Sequence, residues 1–186
     1  IPLIRRHLVS RFIMPIFAKV LPRLGDTERV ALEAGTVWWD ADLFSGMPEW
    51  QKLLDFRAQP LSAEEQAFLD GPVNDFCRAI DNWEVYQQRD LSPEVWALIR
   101  KYRLFCMIIP RQYGGLGFSA IAQSRIITRI SSRSITAAVT VMVPNSLGPG
   151  ELLLHYGSEA QKLRYLKRLA DGEEIPCFAL TGPAAG

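Results

Sequence analysis

The side chains able to carry covalent or metal chemistry are few and scattered. The only histidines are His7 and His155, no Cys-x-x-Cys pair occurs, and no His, Asp or Glu cluster has the spacing of a zinc or iron site. A metal centre is therefore not expected. Ser146 stands in Pro144-Asn145-Ser146-Leu147-Gly148, without the glycine two residues earlier that a nucleophile elbow needs for its sharp turn, so serine hydrolysis is disfavoured. Cys77, Cys106 and Cys177 are odd in number, far apart and set among apolar neighbours, a pattern of buried free thiols in a reducing compartment. The apolar run Cys106 to Ile109, the glycines of Gly114-Gly115-Leu116-Gly117 and a helix after Ser119 imitate a strand, phosphate loop and helix. The glycine spacing differs from G-x-G-x-x-G, however, no second parallel strand follows, and there is no P-loop lysine. A tight glycine turn that lets two helices approach is the simpler reading.

The elements that would position these groups are helical. The chain has 186 residues, 48% hydrophobic and 22% charged, with a net charge of +1, ordinary values for a globular protein with a sizeable core and no polyanionic partner. Residues 1 to 25 differ, holding Arg5, Arg6, Arg11, Lys19 and Arg23 but no acidic side chain. Within them Leu8, Phe12, Ile16, Val20 and Leu24 recur at steps of four beside Ile13 and Phe17, which predicts a basic amphipathic helix, kinked or broken at Pro15 and Pro22. Such a helix fits either an anionic membrane surface or packing against other parts of the protein. No run of 18 apolar residues exists, so no transmembrane helix is expected.

From Gly35 to Pro60, Trp38, Trp39, Phe44, Trp50 and Phe56 lie among Gly, Pro and Asp with no sustained period, as in an ordered connector pinned by aromatics. Ser62 with Glu65 makes a capping box, followed by the apolar repeat Val73, Phe76, Cys77 and Ile80 after an interruption at Gly71-Pro72. Ser92-Pro93 starts a helix with Val95, Leu98, Ile99 and Tyr102 on its apolar face. Another helix follows Ser119 to about Ser132. Residues 134 to 155 are apolar on almost every side and are expected at the centre of a bundle. Ser158 with Gln161 caps a last helix, with Leu163, Leu166 and Leu169 inward and Gly172 at its end, and Ile175 to Thr181 reads as a short strand. The fold class is mainly α, a helical bundle behind an amphipathic, aromatic-rich extension.

Three blocks resemble the acyl-CoA dehydrogenase family in order and separation. Ile109-Pro110-Arg111-Gln112-Tyr113-Gly114-Gly115-Leu116-Gly117 resembles its P-x-x-Y-G-G-x-G turn. Gly157-Ser158-Glu159-Ala160-Gln161-Lys162 with Tyr165-Leu166 and Gly172-Glu173 resembles its G-x-x-x-Q-K-x-x-Y-L-P-x-L-x-x-G-E segment. Phe178-Ala179-Leu180-Thr181-Gly182-Pro183-Ala184-Ala185-Gly186 resembles A-L-T-E-P-x-A-G-S-D. Ala34 to Asp40 and Leu43 to Gly46 are further similar to the bacterial long-chain enzymes of fatty-acid β-oxidation. Gly182 replaces the motif's glutamate and Lys167 its proline.

The resemblance implies an extension over 1–61, the family's helical amino-terminal domain over 62–173 and the start of a middle β domain from 174. It implies FAD as cofactor, a fatty acyl-CoA substrate, an electron-transfer flavoprotein or similar acceptor, and a homo-oligomeric full-length protein in the cytoplasm, with the inner membrane as a further location. Phe178, Leu180, Thr181 and Gly186 would meet the flavin. Val139, Thr140 and Val143 would line the acyl chain, whose burial is worth roughly 0.8 kcal/mol per methylene. The family's catalytic glutamate falls beyond Gly186, so no catalytic residue is nominated and the chain by itself is not expected to turn over substrate. The competing expectation is a non-catalytic helical module that binds a membrane or another protein.

Overall fold

The structure is a computed structural model that describes residues 4–21, 25–34, 38–146 and 148–177, with the backbone alone at 27, 28, 31 and 32. The chain divides into two compact units, Ile1–Arg57 and Ala58–Gly186.

In the first unit, wide π-helical turns over Arg5–Ser10 run directly into an α-helix at Arg11–Val20, together called α1. The break predicted at Pro15 does not occur. Proline deletes one amide donor, and a helix exposed along its length tolerates that loss, so it continues through Pro15. Leu21 turns extended (ψ 133°), as expected of a residue before proline. Pro22, and Leu24 of the predicted stripe, lie outside the described residues. Next comes α2 (Asp26–Ala34).

The segment predicted to be a connector holds two short helices, α3 (Asp40–Ser45) and α4 (Trp50–Asp55). Each is too short to show a period. The aromatic pinning is present: the Trp39 and Trp50 rings lie 5.2 Å apart, those of Trp38 and Phe56 5.0 Å apart, and the Trp39 indole donates to the Glu49 carbonyl at 2.9 Å. Trp39 is buried, whereas Phe44 is almost fully exposed.

The second unit is a helical bundle. The helix α5 (Ala63–Phe68) starts on the predicted capping box and passes through a wide-turned stretch, Leu69–Val73, into α6 (Asn74–Ala79). Gly71-Pro72 therefore widens the helix without interrupting it. Then follow α7 (Asn82–Gln88), α8 (Pro93–Lys101) and α9 (Ala120–Ser131), with 3-10 turns at Leu104–Cys106 and Arg111–Tyr113 between the last two. The run 134–155 splits into α10 (Ile135–Asn145) and α11 (Pro149–Tyr156), and α12 (Glu159–Ala170) completes the bundle. Gly172, at φ +70°, ends it in the left-handed region glycine favours.

The main core gathers Val73, Phe76 and Ile80 with Val95 and Ile99, the Leu104–Met107 turn, Ile126 and Ile130 of α9, and Ala137 and Val141 of α10. A second cluster joins Cys106 and Ile109 to Leu166, Leu169 and Ala170 of α12. Three predictions of burial are corrected. The run 134–155 is not enclosed on all sides, since Ile135, Val139, Met142 and Leu152 are exposed; a helix apolar all round does not reveal which side the bundle covers. Leu163 is 66% exposed, because α12 turns Leu166 and Leu169 inward instead. Cys177 is exposed, unlike Cys77 and Cys106. Ile175–Cys177 forms no strand ladder, and residues 178–181 of the predicted strand lie outside the described residues.

Candidate functional site

The helix α10 is built by Ser134, whose side chain accepts from the Ala137 amide at 3.4 Å, and by a run of small and β-branched residues that pack against α9. Ala137, Ala138, Val141, Pro144 and Asn145 are buried. The other side presents Ile135, Thr136, Val139, Thr140, Met142 and Val143, exposed or half-buried and without a charge among them. Val139, Thr140 and Val143 stand at i, i+1 and i+4, so the structure brings these three together on one face. The Thr140 hydroxyl donates back to the Thr136 carbonyl at 2.8 Å, which satisfies its polarity within the helix and leaves an apolar surface outward.

Asn145 locks the carboxy-terminal end of this helix. Its Oδ1 accepts from the Met107 amide at 2.7 Å and the Ile108 amide at 3.4 Å; its Nδ2 donates to the carbonyls of Leu104 at 2.6 Å and Val141 at 2.8 Å. The Asn145 carbonyl also accepts from Gln123 Nε2. One side chain thus ties α10 to the Leu104–Ile108 turn, and its own carbonyl adds α9. No local pattern in the sequence marks Asn145 for this role, because most of its partners lie 37 to 41 residues away. Beside it opens a cleft of about 420 Å³ lined by Ile108, Phe118, Gln123, Ser146, Glu151 and His155. His155 Nε2 lies 3.9 Å from Glu151, and among the described residues no group of three His, Cys, Asp or Glu could hold a metal ion.

The glycine turn has no free amides to offer a phosphate. Tyr113 and Gly115 donate to Pro110, Gly114 to Arg111, Leu116 to Cys106, Gly117 to Ile109 and Phe118 to Met107, all within 3.2 Å. The Ser119 amide donates to Glu65 Oε1 at 2.7 Å. An anion cradle needs such groups unpaired, so the turn serves close packing. A Cβ on Gly115 would stand 1.9 Å from the Ile109 carbonyl oxygen. Gly115→Ala is therefore expected to destabilise the second unit by about 3 kcal/mol, the upper range for overpacking; a urea midpoint equal to that of the unaltered chain would contradict it.

The buried thiols are inert. Burial pushes the Cys106 thiol up to about 11 and raises that of Cys77, so neither is a nucleophile at neutral pH. Phe178, Leu180, Thr181 and Gly186, the residues expected at a flavin, lie outside the described residues.

The family model for "Acyl-CoA dehydrogenase, N-terminal domain" matches residues 62–173, more than half of the chain. An acyl-CoA dehydrogenase of Bacillus subtilis is 32% identical over 126 residues, covering 66% of this chain and 33% of that protein. The human mitochondrial very long-chain specific acyl-CoA dehydrogenase is 27% identical over 130 residues, 68% of this chain and 20% of its own length. A Bacillus anthracis acyl-CoA dehydrogenase solved as a complex with FAD superposes with a TM-score of 0.57 at 26% identity, over 70% of this chain and 22% of that one. The chain thus spans a third or less of the proteins it matches. Its capped helices, its glycine turn and the extent of the family match agree, and the chain belongs to the acyl-CoA dehydrogenase family through that family's helical amino-terminal domain.

Proposed function

We propose that this chain is the amino-terminal part of an FAD-dependent dehydrogenase that introduces the α,β double bond into long-chain fatty acyl-CoA during β-oxidation in the cytoplasm, passing electrons to an electron-transfer flavoprotein or similar acceptor. The observation that carries it is the uncharged outer face of α10. A side of a bundle helix with no charged group, and with its threonine hydroxyl turned back on the backbone, suits an aliphatic tail and not a polar ligand.

In this reading Val139, Thr140 and Val143 bind the acyl chain and exclude water from it, and Asn145 holds their helix at a set depth against the Leu104–Ile108 turn. FAD, when bound, supplies the acceptor for the β hydride. The glycine-turn amides are all used internally, so the cofactor's phosphates are not held there. Phe178, Leu180, Thr181 and Gly186 are the residues of this chain proposed to contact it, the backbone and the Thr181 hydroxyl hydrogen-bonding to the flavin ring. The base for the α proton is a glutamate supplied by the longer protein, which works as a homo-oligomer.

The full-length protein is expected to carry flavin absorption at about one per chain and to bleach anaerobically with palmitoyl-CoA. Val143→Asp should keep the flavin yet lose kcat/KM for palmitoyl-CoA on the order of a hundredfold, because a carboxylate would be desolvated against the tail. A colourless, well-folded full-length protein would overturn the assignment; a Val143→Asp enzyme with unchanged kcat/KM would remove this face from the acyl site.

A further inference from the structure

The uncharged outer face of α10 leads to a cation. Thr136, Thr140 and Val143 stand at i, i+4 and i+7 and so form one line along the helix, with Val139 beside it. From Val143 back to Thr136 this strip runs about 10 Å, the reach of a stretched chain of about eight methylenes. At Thr136 it meets a cleft of about 440 Å³ whose other walls are Val85, Tyr86, Gln87 and Arg89. The helix α7 shapes those walls. Asp81 Oδ1 accepts from the amides of Trp83 at 2.9 Å and Glu84 at 3.2 Å and fixes its start, Val85 is buried in the main core, and the Tyr86 ring stacks on Trp83 with centroids 5.5 Å and planes 20° apart. Arg89 ends the helix at φ +56°, in the left-handed region that favours glycine. The carboxylates beside it in sequence are engaged elsewhere: Glu84 accepts from Gln88 Nε2 at 2.9 Å, and Asp90 from the Leu91 amide at 2.7 Å and the Trp96 indole at 3.2 Å. The Arg89 guanidinium itself has no ion pair or hydrogen-bond partner among the described residues.

An unpaired guanidinium at the end of an uncharged strip suits a ligand that is aliphatic along its length and anionic at its far end. A methyl-ended tail would use the strip and leave Arg89 to water, and a free phosphate or small carboxylate would use the cation and ignore the strip. Only the two features together recognise one molecule. The cleft is of the size that small-molecule sites have, and a guanidinium pairs with a carboxylate through two parallel hydrogen bonds. We propose that this site accepts acyl-CoA whose chain carries a second carboxylate at its ω end, the methylenes lying along Val143, Thr140 and Thr136 and the ω-carboxylate pairing with Arg89. The proposal rests on the reading of α10 as the acyl face. It leaves the oxidation at the α and β carbons as already described, since the ω-carboxylate makes and breaks no bond. The rival occupant of the cleft is the rest of the longer protein, with one of its own carboxylates packed on Arg89.

The test compares palmitoyl-CoA with the CoA monothioester of hexadecanedioic acid, a chain of the same length, on the full-length protein. Both should bleach the flavin anaerobically, and both should be turned over. Arg89→Gln should raise KM for the dicarboxylate ester about tenfold with kcat unchanged, because an ion pair remote from the reacting carbons acts equally on the ground and transition states. The same variant should leave palmitoyl-CoA unaffected, and Arg89→Lys should recover part of the loss. Arg89 is exposed, so both variants should retain the far-ultraviolet circular dichroism of the unaltered protein. Oxidation of palmitoyl-CoA with refusal of the dicarboxylate ester would overturn the proposal, as would an Arg89→Gln enzyme unchanged towards that ester. Equal losses with both esters in Arg89→Gln would overturn it in favour of the longer protein packed on the cleft. A Val143→Asp enzyme unchanged towards both esters would instead remove α10 from the acyl site, and this proposal with it.

Discussion

Asn145→Leu should lower the unfolding free energy of the helical unit by about 4 kcal/mol. Leucine fills a similar volume but leaves the Met107 amide and the Leu104 carbonyl buried without their Asn145 partner, at about 1–3 kcal/mol for each such group. Asn145→Asp separates this cause from simple packing. Its carboxylate would still accept from Met107 and Ile108, yet it would face the carbonyls of Leu104 and Val141 with no proton to donate. The neutral acid restores a donor, so the Asp variant should gain stability as pH falls from 7 towards 5, while the Leu variant should not. Urea unfolding followed by circular dichroism at both pH values measures this. A loss under about 1 kcal/mol for Asn145→Leu would show that the four bonds are replaceable.

Glu65→Ala is expected to cost about 3 kcal/mol near neutral pH, at roughly 1.5–3 kcal/mol for a hydrogen bond to a charged group. Glu65 Oε2 accepts from the Ser62 amide at 2.8 Å and Oε1 from the Ser119 amide at 2.7 Å, joining the starts of α5 and α9. The Ser119 amide first, and then that of Ser62, hold its carboxyl down from the ordinary 4.5 to about 2. A depressed carboxyl contributes stability that is complete above the unfolded value and is lost as pH falls through the folded one. Stability should therefore decline between pH 4.5 and 2 in the unaltered chain, with a shallower decline in Glu65→Ala. Parallel slopes for the two proteins in that window would show that other carboxyls dominate the acid response. Glu65→Gln keeps one acceptor oxygen and should fall between the two.

Both predictions rest on contacts that a sequence does not display. The capping boxes at Ser62 and Ser158 and the start at Ser92-Pro93 were readable because each depends on residues three or fewer apart. The same locality made the family blocks legible. What resisted reading has specific causes. The helices α3 and α4 are shorter than two turns, so they carry no period. Pro15 and Gly71-Pro72 look like breaks, yet a wide turn at Leu69–Val73 and exposure at α1 absorb them. The run 134–155 is apolar on so many sides that its pattern cannot choose which of them is covered.

By itself, then, the sequence determined the helical class, most of the helix starts in the second unit and the family; that Val139, Thr140 and Val143 share one helix face is a finding of the structure. The tertiary structure decided that this face looks outward, that the glycine turn spends its amides on packing, and that Asn145 and Glu65 hold the helices together. Asn145 reaches partners 37 to 41 residues away as well as one within its own helix, and Glu65 reaches across 54 residues. Helix starts depend on neighbours in sequence; burial and buried hydrogen bonds depend on which distant segments arrive beside them, and no local spacing encodes that.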